Sequence, residues 1–226
     1  MIIVFDLDDT LYDEKTYVSS GFRTVAGYLH AAFGIPVQES YVFMMNEEAA
    51  KGRGAVFDCL LKNYGVFSKK NVQKCVSVYR AHDPDIRLFS EAEYWFSEYG
   101  AQYSVYIVTD GNKLVQERKL RALGILNKIK FCYITHRYGR KNAKPSPYCF
   151  QRICQRECVE PAEVLYIGDN PFKDFVGIKP LGFKTVRVLT GAYKNISLAG
   201  EYESDYRIND LMELTPSFIG ELEMRK

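Results

Sequence analysis

Histidine is scarce in this 226-residue chain: His30, His82 and His136 lie far apart, and no paired-histidine catalytic arrangement is suggested. The six cysteines are Cys59, Cys75, Cys132, Cys149, Cys154 and Cys158. None forms a Cys-x-x-Cys pair, and no histidine stands beside them at zinc-ligand spacing. They read as small, partly buried apolar groups, with Cys149, Cys154 and Cys158 in one expected helix. No apolar run reaches membrane-spanning length, so no membrane association is expected. Met1 leads straight into a short strand without a basic n-region, so no secretory leader is expected either, and reduced thiols in the cytoplasm are the default. A net charge of only +2 argues against a nucleic-acid partner. There is no internal repeat and no low-complexity segment.

What is present suits a globular protein of one or two domains, 47% hydrophobic. Residues 16 to about 83 read as nearly all helix. Val18, Phe22, Val25, Leu29 and Phe33 make one amphipathic face, stopped by Gly34 and Pro36. Further helices are expected over Glu39–Ala50 and from Val56 to Tyr64, and from a Ser68 cap through Val72, Cys75, Val76 and Tyr79. The texture then changes. Apolar runs at residues 2–5, Val105–Val108, Phe131–Ile134, Val164–Ile167 and Thr185–Val188 read as strands. They alternate with helical stretches at Lys113–Leu123, Pro147–Cys158 and Phe172–Pro180. This alternation predicts an α/β fold with a parallel sheet covered on both faces, interrupted after its first strand by a helical insertion.

In open parallel sheets, ligands bind beyond the carboxyl ends of the strands. The first strand delivers Asp6 and Asp8 there, two residues apart and so on one side. Their crowding calls for a cation, and a divalent metal would leave one acid free as a nucleophile or proton shuttle. The strand ending at Val108 delivers Thr109-Asp110-Gly111-Asn112. The strand ending at Ile167 delivers Gly168-Asp169-Asn170 and then Asp174, and Lys144-Pro145 precedes a helix between them. Phosphomonoesters hydrolyse so slowly that enzymes accelerate such reactions by up to roughly 10²¹-fold. A carboxylate nucleophile splits the reaction into two steps, a cationic clamp stabilises the phosphoryl oxygens, and a second acid moves the proton. The chain has a candidate for each task.

The stretches Asp6-Leu7-Asp8-Asp9-Thr10, Val108-Thr109-Asp110-Gly111, Lys144-Pro145-Ser146-Pro147 and Gly168-Asp169-Asn170-Pro171-Phe172-Lys173-Asp174 span nearly the whole chain in order. By this four-motif match the chain resembles the haloacid dehalogenase-like hydrolase superfamily. Lys119-Leu120 with Leu123-Gly124-Ile125, and Gly177-Ile178-Lys179 with Gly182-Phe183, also follow their motifs as in relatives. The resemblance implies a Rossmann-like core over residues 1–14 and 86–226, with an all-helical cap of the C1 type over residues 15–85. It implies a phosphatase acting on a small phosphorylated metabolite, a sugar phosphate or nucleotide monophosphate, through an aspartyl-phosphate, with Mg2+ as cofactor. The protein would be a monomer or homodimer.

The resemblance also implies roles. Asp6 would be nucleophile and metal ligand. Asp8 would be general acid/base, its backbone carbonyl also binding Mg2+. Thr109, with a backbone N–H of the Asp110-Gly111 turn, would bind a phosphoryl oxygen. Lys144 would neutralise nucleophile and phosphate, and Asp169 and Asp174 would complete the metal site. Arg53, in the Lys51–Gly54 break of the insertion, would read the leaving group; a plain interhelix turn is the alternative. Lys141 competes with Lys144, because relatives place the lysine about three residues after a glycine and Gly139 is five before Lys144. Asp110 stands where many relatives carry Asn, and Asp9 reads as a turn or cap acid. Asp174 could instead be an acid near a helix start. The basic string from His136 to Lys144 reads as a solvated face or an aid to attracting an anion. The alternatives in function are a phosphonatase, for which Lys51 would be the Schiff-base lysine, a phosphomutase, and a non-catalytic regulatory member.

Overall fold

A computed structural model describes residues 1–224. Its six strands are β1 (Ile2–Phe5), β2 (Ser104–Thr109), β3 (Phe131–Ile134), β4 (Val164–Gly168), β5 (Lys184–Val188) and β6 (Tyr206–Ile208). They form one sheet in the order β3-β2-β1-β4-β5-β6, every neighbouring pair parallel. Phe5 is in register with Ile107 on one side and Ile167 on the other, so β1, β2 and β4 end level. The chain reverses its direction of travel across the sheet at β1, and the crevice between the carboxyl ends of β1 and β4 is where such a sheet binds ligands.

Both faces of the sheet are covered, which is why its strands are continuous apolar runs. On one face Val4, Tyr106, Val108, Val164 and Tyr166 pack with Phe150 and Ile153 of a helix over Tyr148–Glu157. The alternate residues Ile3, Phe5, Ile107, Leu165 and Ile167 are fully buried and face the other way. There Phe5 meets Trp95 and Phe96 at centroid distances of 4.9 and 5.8 Å. Those rings belong to a helix over Ser90–Glu98 that the periodicity does not reveal. The short edge strand β6 and the helix Pro216–Met224 likewise lie outside the elements expected from the sequence.

The chain divides into two compact units, Met1–Glu14 with Arg87–Lys226, and Lys15–Ile86. The second is helical: Glu14–Phe33, which starts at the boundary, then Val37–Lys51, Val56–Asn63 and Lys69–Ala81. Ser68 caps the last of these, its Oγ accepting from Asn71 N at 3.1 Å. The unit has its own core of Val18, Phe22, Val25, Leu29, Met44, Leu60, Leu61 and Cys75. Its two ends are tied by Asp85 N donating to Ser20 Oγ at 2.9 Å.

One expected helix is absent. Phe172–Pro180 is a series of turns followed by a single 3-10 turn at Lys179–Leu181. The polar side chains at its start capture the backbone instead: Asn170 N donates to Asp174 Oδ2 at 2.9 Å, and Phe172 N to Asn170 Oδ1 at 3.0 Å. Local bonds of this kind compete with helix formation. With no helix there, the reading of Asp174 as a helix-start acid has no basis.

Candidate active site

The end of β1 carries Asp6, whose backbone N–H still donates to Ile167 O at 2.8 Å and so locks the nucleophile candidate to β4. Lys144 reaches the crevice from the loop before the helix Tyr148–Glu157. Its Nζ lies 2.8 Å from Asp6 Oδ1 and 2.7 Å from Asp174 Oδ1. It also donates to the Tyr166 hydroxyl at 2.8 Å, and that hydroxyl donates to Asp174 Oδ1 at 3.1 Å. Lys141 is exposed, so Lys144 and not Lys141 sits among the carboxylates. Asp169 follows β4, and Thr10 Oγ1 approaches its Oδ1 at 3.4 Å. Carboxylate oxygens of Asp6, Asp169 and Asp174 lie within 4.8 Å of one another, all buried. Gly168 is required for this closeness, because a Cβ there would stand 2.5 Å from Asp174 Oδ2.

Asp8 turns elsewhere. Lys119 Nζ lies 2.6 Å from its Oδ1, Tyr12 OH donates to the same oxygen at 2.5 Å, and Gln116 Nε2 donates to Oδ2 at 3.0 Å. The carboxylates of Asp6 and Asp8 are therefore served by different cations rather than crowded around one. Thr109 is buried at the end of β2 beside Gln116, and Asp110 and Gly111 form the turn that follows. The Asp110 side chain is engaged by other segments: its Oδ1 accepts from Thr135 Oγ1 at 2.7 Å and Lys144 N at 3.0 Å, and Lys173 Nζ stands 3.6 Å from Oδ2. Its charge thus anchors the Lys144 loop. Asp9 adopts a left-handed conformation (φ 55°) and accepts from Glu14 N at 2.9 Å, at the start of the first helix. Arg53 belongs to the other unit, on the exposed turn Arg53–Ala55.

Sequence reasoning missed Tyr12, Gln116, Tyr166 and Lys173, and noted Lys119 only as a flanking match. A signal existed for one pair: Gln116 and Lys119 are one turn apart on the helix Lys113–Ala122, and both are buried. Tyr166 was hidden inside an apolar strand, where its hydroxyl is invisible to a hydrophobic count.

Electrostatics divides the acids into two groups. Burial raises Asp6 to about 6 against the pull of Lys144. Burial, then the Asp174 and Asp6 charges, push Asp169 up to about 9. For Asp8, burial is outweighed by Lys119 and by hydrogen bonds from Lys119, Tyr12 and Gln116, so its carboxyl titrates below the usual range. Burial disfavours the Lys144 ammonium, yet Asp174 and Asp6 more than offset it and hold the side chain charged.

Three buried carboxylates facing one buried lysine leave negative charge uncompensated. Asp6 Oδ1, although 2.8 Å from Lys144 Nζ, is a buried oxygen that receives no aligned hydrogen bond. An all-oxygen set with an unsatisfied oxygen fits a hard divalent cation. A stability prediction follows. A carboxyl raised in the folded state keeps its proton where the unfolded chain has lost it, so metal-free stability falls as pH rises above 3.8, through Asp6 to about 6 and through Asp169 to about 9. A divalent cation displaces those protons and binds better as pH rises. The increase in Tm produced by Mg2+ should therefore be larger at pH 8.5 than at pH 5.5; an equal increase at both would separate these carboxyls from metal binding.

A sequence profile of haloacid dehalogenase-like hydrolases matches residues 3–188. Glyceraldehyde 3-phosphate phosphatase of Methanocaldococcus jannaschii is 31% identical over 226 aligned residues, covering 94% of this chain and 94% of that protein. Pyrophosphatase PpaX of Bacillus velezensis is 28% identical, covering 94% of this chain and 95% of its own length. The solved structure of 2-haloacid dehalogenase from Pseudomonas syringae pv. Tomato superposes with a TM-score of 0.67 at 20% identity, covering 98% of this chain and 99% of that one; this is a likeness of fold.

Proposed function

Because the chain belongs to the haloacid dehalogenase-like hydrolases, we propose that it is a Mg2+-dependent phosphatase acting through an aspartyl-phosphate on Asp6. The observation that carries this reading is the division of labour among the acids. Asp6 shares a buried cluster with Asp169, Asp174 and Lys144, while Asp8 is held apart by Lys119. Asp6, Asp169 and Asp174, with the backbone carbonyl of Asp8, would hold the metal, which would supply positive charge to the phosphoryl oxygens. An Asp6 oxygen attacks phosphorus. Lys144 offsets the charge on Asp6, and the Thr109 hydroxyl with an N–H of the Asp110-Gly111 turn receives a phosphoryl oxygen. Asp8 protonates the leaving alkoxide and then takes a proton from the water that cleaves the acyl phosphate. As Lys119 holds it, Asp8 is ionised and so ready for the second of these tasks; the first requires that it gain a proton beforehand.

The substrate class is a small phosphorylated metabolite. The relative that is 31% identical is named for glyceraldehyde 3-phosphate, which favours a short sugar phosphate over a nucleotide monophosphate. Residues 15–85 would serve as a cap of the C1 type, in which Arg53 is the candidate residue for reading the leaving group. A phosphonatase is disfavoured because Lys51 is exposed and ion-paired with Glu47 at 2.8 Å, and the hydrogen bond it donates to that partner raises its pKa, opposite to what an imine-forming amine needs. The protein works in the cytoplasm as a monomer or homodimer; no helix among the described residues is long and apolar enough to cross a membrane.

The test is hydrolysis of an aryl phosphate and of a panel of sugar phosphates and nucleotides, with Mg2+ and after its removal by EDTA. Metal-dependent release of phosphate, fastest on a short sugar phosphate, is expected. A folded protein that cleaves no phosphoester would favour a regulatory member, and undiminished activity in EDTA would remove the metal from the mechanism.

A further inference from the structure

Gln116 lies outside all four motifs, yet its side-chain amide touches residues of two of them. Asn112 caps the helix Lys113–Ala122, its Oδ1 accepting from Leu114 N at 3.0 Å, and this places Gln116 one turn in, with 1% of its surface exposed. From there Nε2 donates to Thr109 Oγ1 at 2.5 Å, to Asp8 Oδ2 at 3.0 Å and to Asp110 O at 3.0 Å. An amide nitrogen has two hydrogens, so three acceptors share them. The carboxylate of Asp8 is the strongest acceptor and takes one; Thr109 and the Asp110 carbonyl share the other.

The consequence falls on Thr109. A hydroxyl has one hydrogen and two lone pairs. With a lone pair engaged by Gln116, its hydrogen points elsewhere, and the group is left as a donor. That is the polarity a phosphoryl oxygen needs. The same amide holds the carbonyl of Asp110, and with it the turn that follows Thr109. Gly111 at φ 135° packs against it closely: a Cβ there would stand 3.3 Å from Gln116 Cδ. We infer that Gln116 is a positioning residue for phosphoryl binding, acting through Thr109 to present its hydroxyl, and the Asp110-Gly111 turn beside it, as donors. The inference rests on the phosphatase reading above.

Two variants test it. Gln116→Leu keeps most of the volume and removes the donor. Gln116→Met keeps the length and likewise removes the donor without adding charge beside Asp8, so that a second change is available should the leucine variant not fold. With Mg2+ and an aryl phosphate, kcat is expected to fall on the order of 10- to 100-fold, as for loss of one oriented donor, with a much smaller change in KM. In a double-mutant cycle with Thr109→Val, the combined loss in kcat should be well below the product of the single losses, because both remove the same donor. Losses that multiply, or a variant with wild-type kcat, would overturn the inference. Should the wild type cleave no phosphoester, the phosphatase reading fails first. Calorimetric binding of inorganic phosphate in Mg2+ then decides on Gln116 alone: several-fold weaker binding by Gln116→Leu upholds it, and unchanged affinity overturns it.

Discussion

Asp6→Asn is expected to lower phosphatase turnover by on the order of 10⁴-fold or more while leaving the protein folded. The amide carries no charge and attacks phosphorus poorly, so the covalent route closes. Stability survives because Lys144 keeps its other partner, Asp174 Oδ1 at 2.7 Å. The change also removes a carboxyl that burial already disfavours, since the pKa of Asp6 is raised to about 6. Thermal melting should thus show a Tm equal to or above wild type, while steady-state kinetics show the loss. Mass spectrometry of acid-quenched reactions should find a phosphoryl adduct on the wild type and none on the variant. Activity within tenfold of wild type would remove Asp6 as the nucleophile.

Lys144→Met has the second large effect, and it is expected on stability as well as on rate. The ammonium is fully buried between two buried carboxylates. Removing one partner from such a cluster leaves uncompensated charge and costs about 3–5 kcal/mol. The loss should be greatest at high pH without metal, where the carboxyls are ionised, and partly recovered by Mg2+. Lys141→Ala, one turn earlier on an exposed loop, should melt and turn over within about twofold of wild type, as surface substitutions do. Denaturation of both variants at pH 8 with and without Mg2+, alongside their kinetics, makes the comparison. The opposite ranking would return the lysine role to Lys141.

Much of the architecture was legible in the chain because hydrophobic periodicity reports burial directly. The runs at residues 2–5, Val105–Val108, Phe131–Ile134, Val164–Ile167 and Thr185–Val188 all lie in strands of one parallel sheet. They could be read because a strand covered on both faces has to be apolar throughout. The failures have an equally local cause. Over Phe172–Pro180, helical spacing was overridden by Asn170 and Asp174 bonding to the backbone. The helix Ser90–Glu98 was missed because its buried Ala92, Trp95 and Phe96 are mixed with exposed Tyr94 and with acids. Asp110 was a puzzle in one dimension. It is explained by Thr135 and the Lys144 backbone, 25 and 34 residues away.

The opening acids show where the two kinds of information divide. The sequence alone determined that Asp6, Asp8, Thr109, Lys144 and Asp169 follow strands or precede a helix, because strand ends and helix starts are written in local composition. Which acid faces which cation was decided only by tertiary structure. Lys144 and Lys119 come from segments more than a hundred residues from Asp6 and Asp8, and electrostatic energy depends on distances of a few ångströms that no spacing along the chain encodes. That pairing separates Asp6, raised by burial among acids, from Asp8, lowered by Lys119 and its hydrogen-bonded neighbours, and so makes two adjacent carboxylates chemically different.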